Sequence, residues 1–215
     1  MITKKILYWY DNNKRSLPWR SKCSIKKKEY FTLVSEFMLQ QTQVKTVIPY
    51  FNNFLKNIPN FQSLSSINEA KLLKHWQGLG YYSRAKNLKK SAKMIIDNYS
   101  GRLPNNLEEL KKLPGVGDYT ASAILAIVFN QKIIPLDGNI ERVLKRILNL
   151  KTKKEIKKEN LHKQKKIFGQ TSRSSEYAQA LMEVGALLCK PKNPRCNKCP
   201  ITKNCLSFKR KDFEI

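Results

Sequence analysis

The sequence predicts an all-α protein. Apolar residues return at helical spacing along most of its 215 residues, and no stretch alternates apolar with polar as a half-buried strand would. Two short glycine-bearing connections break this regularity. In order, Leu33, Val34, Phe37 and Met38 fall on one face at i, i+1, i+4 and i+5, and Val44, Val47, Ile48, Phe51, Phe54 and Leu55 repeat that spacing. The first connection follows, Trp76-Gln77-Gly78-Leu79-Gly80-Tyr81-Tyr82, a bend rich in glycine and aromatics. Leu88, Ala92, Ile95, Ile96 and Tyr99 make the next stripe, which Gly101 stops. A short helix, roughly Leu107 to Lys112, leads into the second connection, Leu113-Pro114-Gly115-Val116-Gly117. Tyr119 to Phe129 is apolar nearly all round and predicts a buried central helix. Ile140, Val143, Leu144, Ile147 and Leu148 form a last clean stripe, and Lys151 to Lys166 reads as a solvated helix or linker.

Composition narrows the partners. Lys and Arg total 42 against 16 acidic residues, a formal charge of +26, and each phosphate such a chain neutralises releases a counterion. The expected partner is therefore a polyanion, although the Lys-rich composition is spread over the whole chain and singles out no contact. No apolar run approaches a membrane span, and Met1 to Tyr10 has no uninterrupted apolar core of a signal peptide. The chain is expected to be cytoplasmic, bound to no membrane and monomeric. Five cysteines in a reducing compartment then call for something other than disulfides.

Cys189, Cys196, Cys199 and Cys205 follow the spacing C-x6-C-x2-C-x5-C. Four thiolates this close suit either a tetrahedral zinc or a [4Fe–4S] cluster, and spacing alone leaves both open. Lys190, Lys192, Arg195 and Lys198 crowd the same loop and could meet phosphates. Cys23 is left over as an ordinary thiol.

Leu-Pro-Gly-Val-Gly before a helix is a helix–hairpin–helix signature. Gly115 and Gly117 would permit positive φ and a close phosphate, with the amides of the turn and helix N-terminus aimed at the anion. Twenty residues on, Leu136-Asp137-Gly138-Asn139 precedes the last stripe. Asp137 or Asn139 reads as a plain helix cap; the alternative is that the Asp137 carboxylate is held at the helix start for chemistry.

The order Leu17-Pro18-Trp19-Arg20, then Ser35-Glu36-Phe37-Met38-Leu39-Gln40-Gln41-Thr42-Gln43-Val44, then Gly78-Leu79-Gly80-Tyr81-Tyr82, the hairpin, Leu136-Asp137-Gly138-Asn139 and the cysteine loop resembles the adenine DNA glycosylases of the endonuclease III superfamily. The hairpin and cysteine loop are shared by the whole superfamily; the Met38-to-Gln43 run and the Gly-Leu-Gly-Tyr-Tyr bend are closer to its adenine branch.

The resemblance implies two helical lobes flanking a DNA groove, residues 22–130 and residues 1–21 with 131–215, and one [4Fe–4S] cluster in preference to zinc. It implies base excision repair: hydrolysis of the N-glycosidic bond of adenine mispaired with guanine or 8-oxoguanine in double-stranded DNA. Glu36 falls on the family's general acid, among apolar neighbours that favour its protonated form, and Asp137 on the aspartate that stabilises the sugar cation. Tyr119 stands where bifunctional relatives carry a Schiff-base lysine, so hydrolysis without strand cleavage is expected. Tyr119 and Asn139 are placed beside Asp137, and Gln41 and Tyr81 at the orphaned partner base. Trp19, Arg20 and Gln179, with Arg15 less firmly, are assigned to the adenine pocket.

The family's usual members add a C-terminal domain for 8-oxoguanine recognition, which a chain ending at Ile215 is expected to lack. Asp118, at the hairpin helix start, would repel a phosphate that it faced. The rival readings are a thymine glycosylase for T·G mismatches and a non-catalytic DNA-binding protein.

Overall fold

A computed structural model of the chain describes residues 2–150 and 171–213. The Lys-rich segment from Lys151 to Lys166 lies outside the described residues. Those described form helices, turns and loops, with no strand among them. Two compact units divide the chain: residues 16–128, here the hairpin unit, and residues 1–15 with 129–215, here the cysteine unit.

The hairpin unit opens with a single 3-10 turn, Pro18–Arg20. Its helices are α2 (Ile25–Leu39), α3 (Val44–Asn57), α4 (Phe61–Ser66), α5 (Glu69–Trp76), α6 (Ser83–Tyr99), α7 (Leu107–Lys111) and α8 (Asp118–Ile127). Local chemistry sets the helix starts: the side chains of Ser24, Asn60, Asn68 and Asn106 each accept a backbone N–H of the turn that they begin. The end of α6 needs two left-handed residues, Ser100 at φ 52° and Gly101 at φ 73°, so the stop begins one residue before the expected glycine.

α2 departs from its apparent one-sided pattern. Ser35 and Glu36 are buried along with Leu33, Val34, Phe37 and Met38, because α3, α6, α8 and the Pro18–Arg20 turn all pack on it. A stripe read from the sequence marks one covered face; contacts from several sides bury the polar face too. α8 is the buried helix expected from its composition, with Thr120, Ala121 and Ala123–Ala126 inside. Around these two helices Phe51, Phe54, Trp76 and Leu88 are fully buried, and Phe54 and Trp76 meet edge-to-face at 6.1 Å. Each such side chain contributes roughly 1.5–3 kcal/mol of burial.

The cysteine unit packs α1 (Ile2–Asn13), α9 (Gly138–Leu148) and α10 (Ser174–Leu187) around Ile6, Tyr10, Ile140, Val143, Leu144, Tyr177, Leu181 and Val184. After α10 the chain runs through two 3-10 turns, Cys196–Lys198 and Thr202–Asn204, into α11 (Leu206–Arg210).

Candidate active site

In the cysteine unit Asp137 is the N-cap of α9. Its Oδ1 accepts the Ile140 amide at 2.6 Å, and its Oδ2 accepts Asn139 Nδ2 at 3.2 Å. The carboxylate caps the helix and remains half-buried. Its direct partners are neutral N–H groups, not a guanidinium or an ammonium.

Asn139 is held in turn. Its Oδ1 accepts Arg142 Nη2 at 2.8 Å; the same nitrogen donates to the Gly185 carbonyl at 2.8 Å, and Arg142 Nε donates to the Cys189 carbonyl at 2.7 Å. A continuous hydrogen-bonded path therefore runs from the Asp137 carboxylate to the backbone of the first loop cysteine. Burial holds the Arg142 guanidinium below its ordinary range, partly offset by Cys189 and Asp137. Gly185 lets α10 approach this path. A Cβ there would stand 2.7 Å from Asn139 Cβ and 3.0 Å from its carbonyl oxygen. Arg142 and Gly185 carried no signal in the sequence: one is an arginine in a strongly basic chain, the other a glycine inside a helix.

The four loop cysteines are free thiols. All four line one cavity of about 30 Å³, together with Val143, Arg146, Ile147 and Val184. The space exceeds the roughly 10–15 Å³ that one water needs, but its walls offer few polar partners to hold water. Burial pushes the Cys199 thiol up to about 11 and raises Cys196 and Cys205 as well. Arg146 frames the loop: its Nη1 lies 3.5 Å from Cys189 Sγ and 2.6 Å from the Lys190 carbonyl, and its own carbonyl accepts Cys205 Sγ at 3.3 Å. Among the described residues no three His, Cys, Asp or Glu side chains form a ligand group for a single ion.

The adenine-pocket candidates of this unit occupy packed positions. Gln179 is buried; its Nε2 donates to the Ser175 carbonyl at 3.2 Å and its Oε1 accepts Tyr10 OH at 3.4 Å. Arg15 makes a two-pronged pair with fully buried Glu183, both contacts at 2.8 Å.

In the hairpin unit Glu36 is buried on α2 at 6% exposure, so it is no surface glutamate of an amphipathic helix. Trp19 packs edge-on against Phe51 with ring centres 5.3 Å apart, and Arg20 is half-buried at the end of the Pro18–Arg20 turn. Gln41 and Tyr81 are both exposed, and both adopt left-handed backbone, φ 57° and 47°. Tyr119 is half-buried in the first turn of α8.

The hairpin corrects one expectation. Gly115 has φ 82°, and a Cβ there would stand 2.8 Å from Phe37 Cε1, so glycine is required on both counts. Gly117 does not use its freedom. Its φ of −94° and ψ of −175° suit any residue, and nothing lies within 4 Å of where a Cβ would stand. What Gly117 leaves is open space over the first amides of α8. Asp118 is 83% exposed and pairs with Lys111 at 2.8 Å, which tempers the repulsion expected from it.

The family model for HhH-GPD superfamily base excision DNA repair proteins matches residues 34–167. The chain belongs to this superfamily. It is 43% identical over 212 residues to an adenine DNA glycosylase of Buchnera aphidicola subsp. Baizongia pistaciae, covering 98% of this chain and 59% of that protein. It is 37% identical to the adenine DNA glycosylase of Homo sapiens, covering 97% of this chain and 40% of that protein. The chain thus spans about three-fifths of the bacterial relative's length. Among solved structures, a thermostable thymine-DNA glycosylase superposes with a TM-score of 0.83 at 25% identity, covering 97% of this chain and 95% of that one.

Proposed function

We propose that this HhH-GPD protein is a monofunctional DNA N-glycosylase that hydrolyses the bond between adenine and deoxyribose where adenine is mispaired with guanine or 8-oxoguanine. The observation that carries this reading is Asp137, a half-buried carboxylate held by two neutral donors at a helix start. Its negative charge is not consumed by a neighbouring cation, and glycosidic cleavage builds positive charge on the sugar that such a carboxylate stabilises. The choice of adenine is supported by relatives named adenine DNA glycosylases, 37–43% identical over nearly the whole chain.

Two further roles follow from the chemistry. Adenine leaves poorly as an anion, and Glu36, withdrawn from water on α2, would deliver the proton to its leaving ring. Tyr119 supplies no amine, so no Schiff base forms there and water completes the reaction. Extruding the base from the stack costs a few kcal/mol, and Gln41 and Tyr81, both exposed, would fill the gap it leaves. The Gly115–Gly117 turn offers its amides to a backbone phosphate, with Lys111 nearby through Asp118. Trp19, Arg20, Asn139 and Gln179 would shape and hold the base and sugar surroundings.

The cysteine cavity would hold one [4Fe–4S] cluster. Four free thiols line one weakly polar cavity, a soft donor set that could hold such a cluster, and the resemblance to the endonuclease III superfamily favours it over zinc. Cys189, Cys196, Cys199 and Cys205 would hold it, and Lys190, Lys192, Arg195 and Lys198 of the same loop would meet phosphates. Purified protein should carry iron and a broad visible charge-transfer absorbance; stoichiometric zinc without iron would overturn the assignment.

A second reading has one observation in its favour, the thymine-DNA glycosylase of which the fold matches 95%. One experiment separates the readings. Duplexes with A opposite 8-oxoguanine, A opposite G and T opposite G are incubated with the protein, then treated with alkali. We expect breaks at the adenine strand only after alkali. Breaks at thymine would install the second reading, and tight binding without breaks would leave a binding protein.

A further inference from the structure

We propose that Arg84 is a positioning residue that sets Gln41 and Tyr81 together as one wedge, an inference that rests on the glycosylase reading. Arg84 is 7% exposed at the start of α6, yet its guanidinium meets only backbone carbonyls and aromatic faces. Nη1 donates to the carbonyls of Phe37 at 3.0 Å, Met38 at 2.9 Å and Gln40. Nη2 donates to Leu79 at 2.8 Å and Gly80 at 3.1 Å. The group also lies over the Trp76 and Tyr81 rings, at 5.5 and 5.6 Å.

Capping the end of α2 would account for Phe37, Met38 and Gln40, whose carbonyls belong to its last turn and its C-cap. It does not account for the rest. The Gln40 carbonyl shares a rigid peptide plane with the Gln41 amide, and the Gly80 carbonyl shares one with the Tyr81 amide. One guanidinium therefore fixes the planes that precede both exposed left-handed residues. Neither Gln41 nor Tyr81 is a glycine, and such residues hold a positive φ only where the surroundings impose it. Further restraints converge on the same bend: Arg84 N donates to the Tyr81 carbonyl at 2.9 Å, and Trp76 Nε1 donates to the Gly80 carbonyl at 3.2 Å. A lysine would keep the charge but, as a point charge, could not span both segments in one plane.

The test replaces the target adenine by 2-aminopurine, whose fluorescence rises when it leaves the stack. Arg84→Lys is measured alone and in the Gln41→Ala/Tyr81→Ala background. The expected result is about a tenfold loss of extrusion alone and less than about twofold further loss in the double background, the signature of residues acting through one another. Equal losses in both backgrounds would mean that Arg84 only supports the fold, and would overturn the proposal. Should Arg84→Lys not fold, Gln41→Ala and Tyr81→Ala are combined instead: coupling of about threefold or more is expected, and additive losses overturn it. No fluorescence rise with the unsubstituted protein would sink the functional reading, and this inference with it; a normal rise with equal losses sinks this inference alone.

Discussion

Glu183 and Asp137 belong to the same unit, and both are carboxylates withdrawn from bulk water, but they are held by different chemistry. Glu183 is fully buried and spends its charge on Arg15 through two contacts at 2.8 Å. Glu29 in the hairpin unit is the same case: fully buried, gripped by Arg102 at 2.6 Å and by the Leu103 amide at 3.0 Å. Asp137 is met instead by the neutral N–H groups of Ile140 and Asn139, and the nearest part of Arg142 reaches it only through Asn139. A carboxylate bonded to arginine is a strut. One held by dipoles is fixed in place while its charge stays available to a cation that develops beside it. Burial alone therefore does not separate the two; the charge of the partner does.

The largest expected effect sharpens this contrast within the hairpin unit. Glu36→Gln should lower single-turnover adenine release by about 10²–10⁴-fold, the usual worth of a general acid, with little change in melting. Glu29→Gln should do the reverse, since it breaks a strut. Matching melting losses in both variants would make Glu36 another structural acid. Next, Arg15→Met removes the guanidinium that pairs with buried Glu183 and should cost roughly 1–3 kcal/mol of stability in denaturant titration. Undiminished stability, with excision alone reduced, would return Arg15 to the adenine pocket.

Gly185→Ala pushes a methyl against Asn139, and overpacking of this kind costs about 1–3 kcal/mol. Excision should fall by more than melting predicts, because the displaced residue is the one that orients Asp137. The smallest effect belongs to a surface pair. Arg173 binds Asp11 at 2.6 Å and Glu176 at 2.5 Å, and the hydrogen bonds to its guanidinium hold both carboxyls below their usual range. Their contribution is present above the unfolded carboxylate range and lost as pH falls through the folded values. All three side chains are about 40% exposed, so Arg173→Met should cost no more than about 1 kcal/mol at pH 7. The cost should shrink as pH falls below the ordinary carboxylate range, as urea titrations at pH 7 and in acid would read.

Much of this was legible before the fold was known. Periodic stripes located α3, α6 and α9, the all-round apolar run located α8, and the place before a stripe left the cap open between Asp137 and Asn139, of which the structure shows Asp137. What stayed hidden was the work of arginines. Arg84, Arg142 and Arg146 look like three more charges among 42 basic residues, and only three-dimensional contact reveals that each gathers backbone carbonyls from separate segments. The burial of Glu36 was hidden for a related reason: sequence periodicity records one face of α2, whereas its neighbours close over the others. Trp19 and Gln179 came from resemblance, and their packing against Phe51 and Ser175 could not be read from motif order.

The most direct test of the central claim is Asp137→Asn, followed by single-turnover adenine release and thermal melting on the same preparation. Asparagine still caps a helix, so melting should change by less than about 1 kcal/mol. Loss of the negative charge should slow release by about 10²–10³-fold. Release at the unsubstituted rate, or a fall in release matched by an equal fall in stability, would contradict the assignment of Asp137 as the charge that the reaction uses.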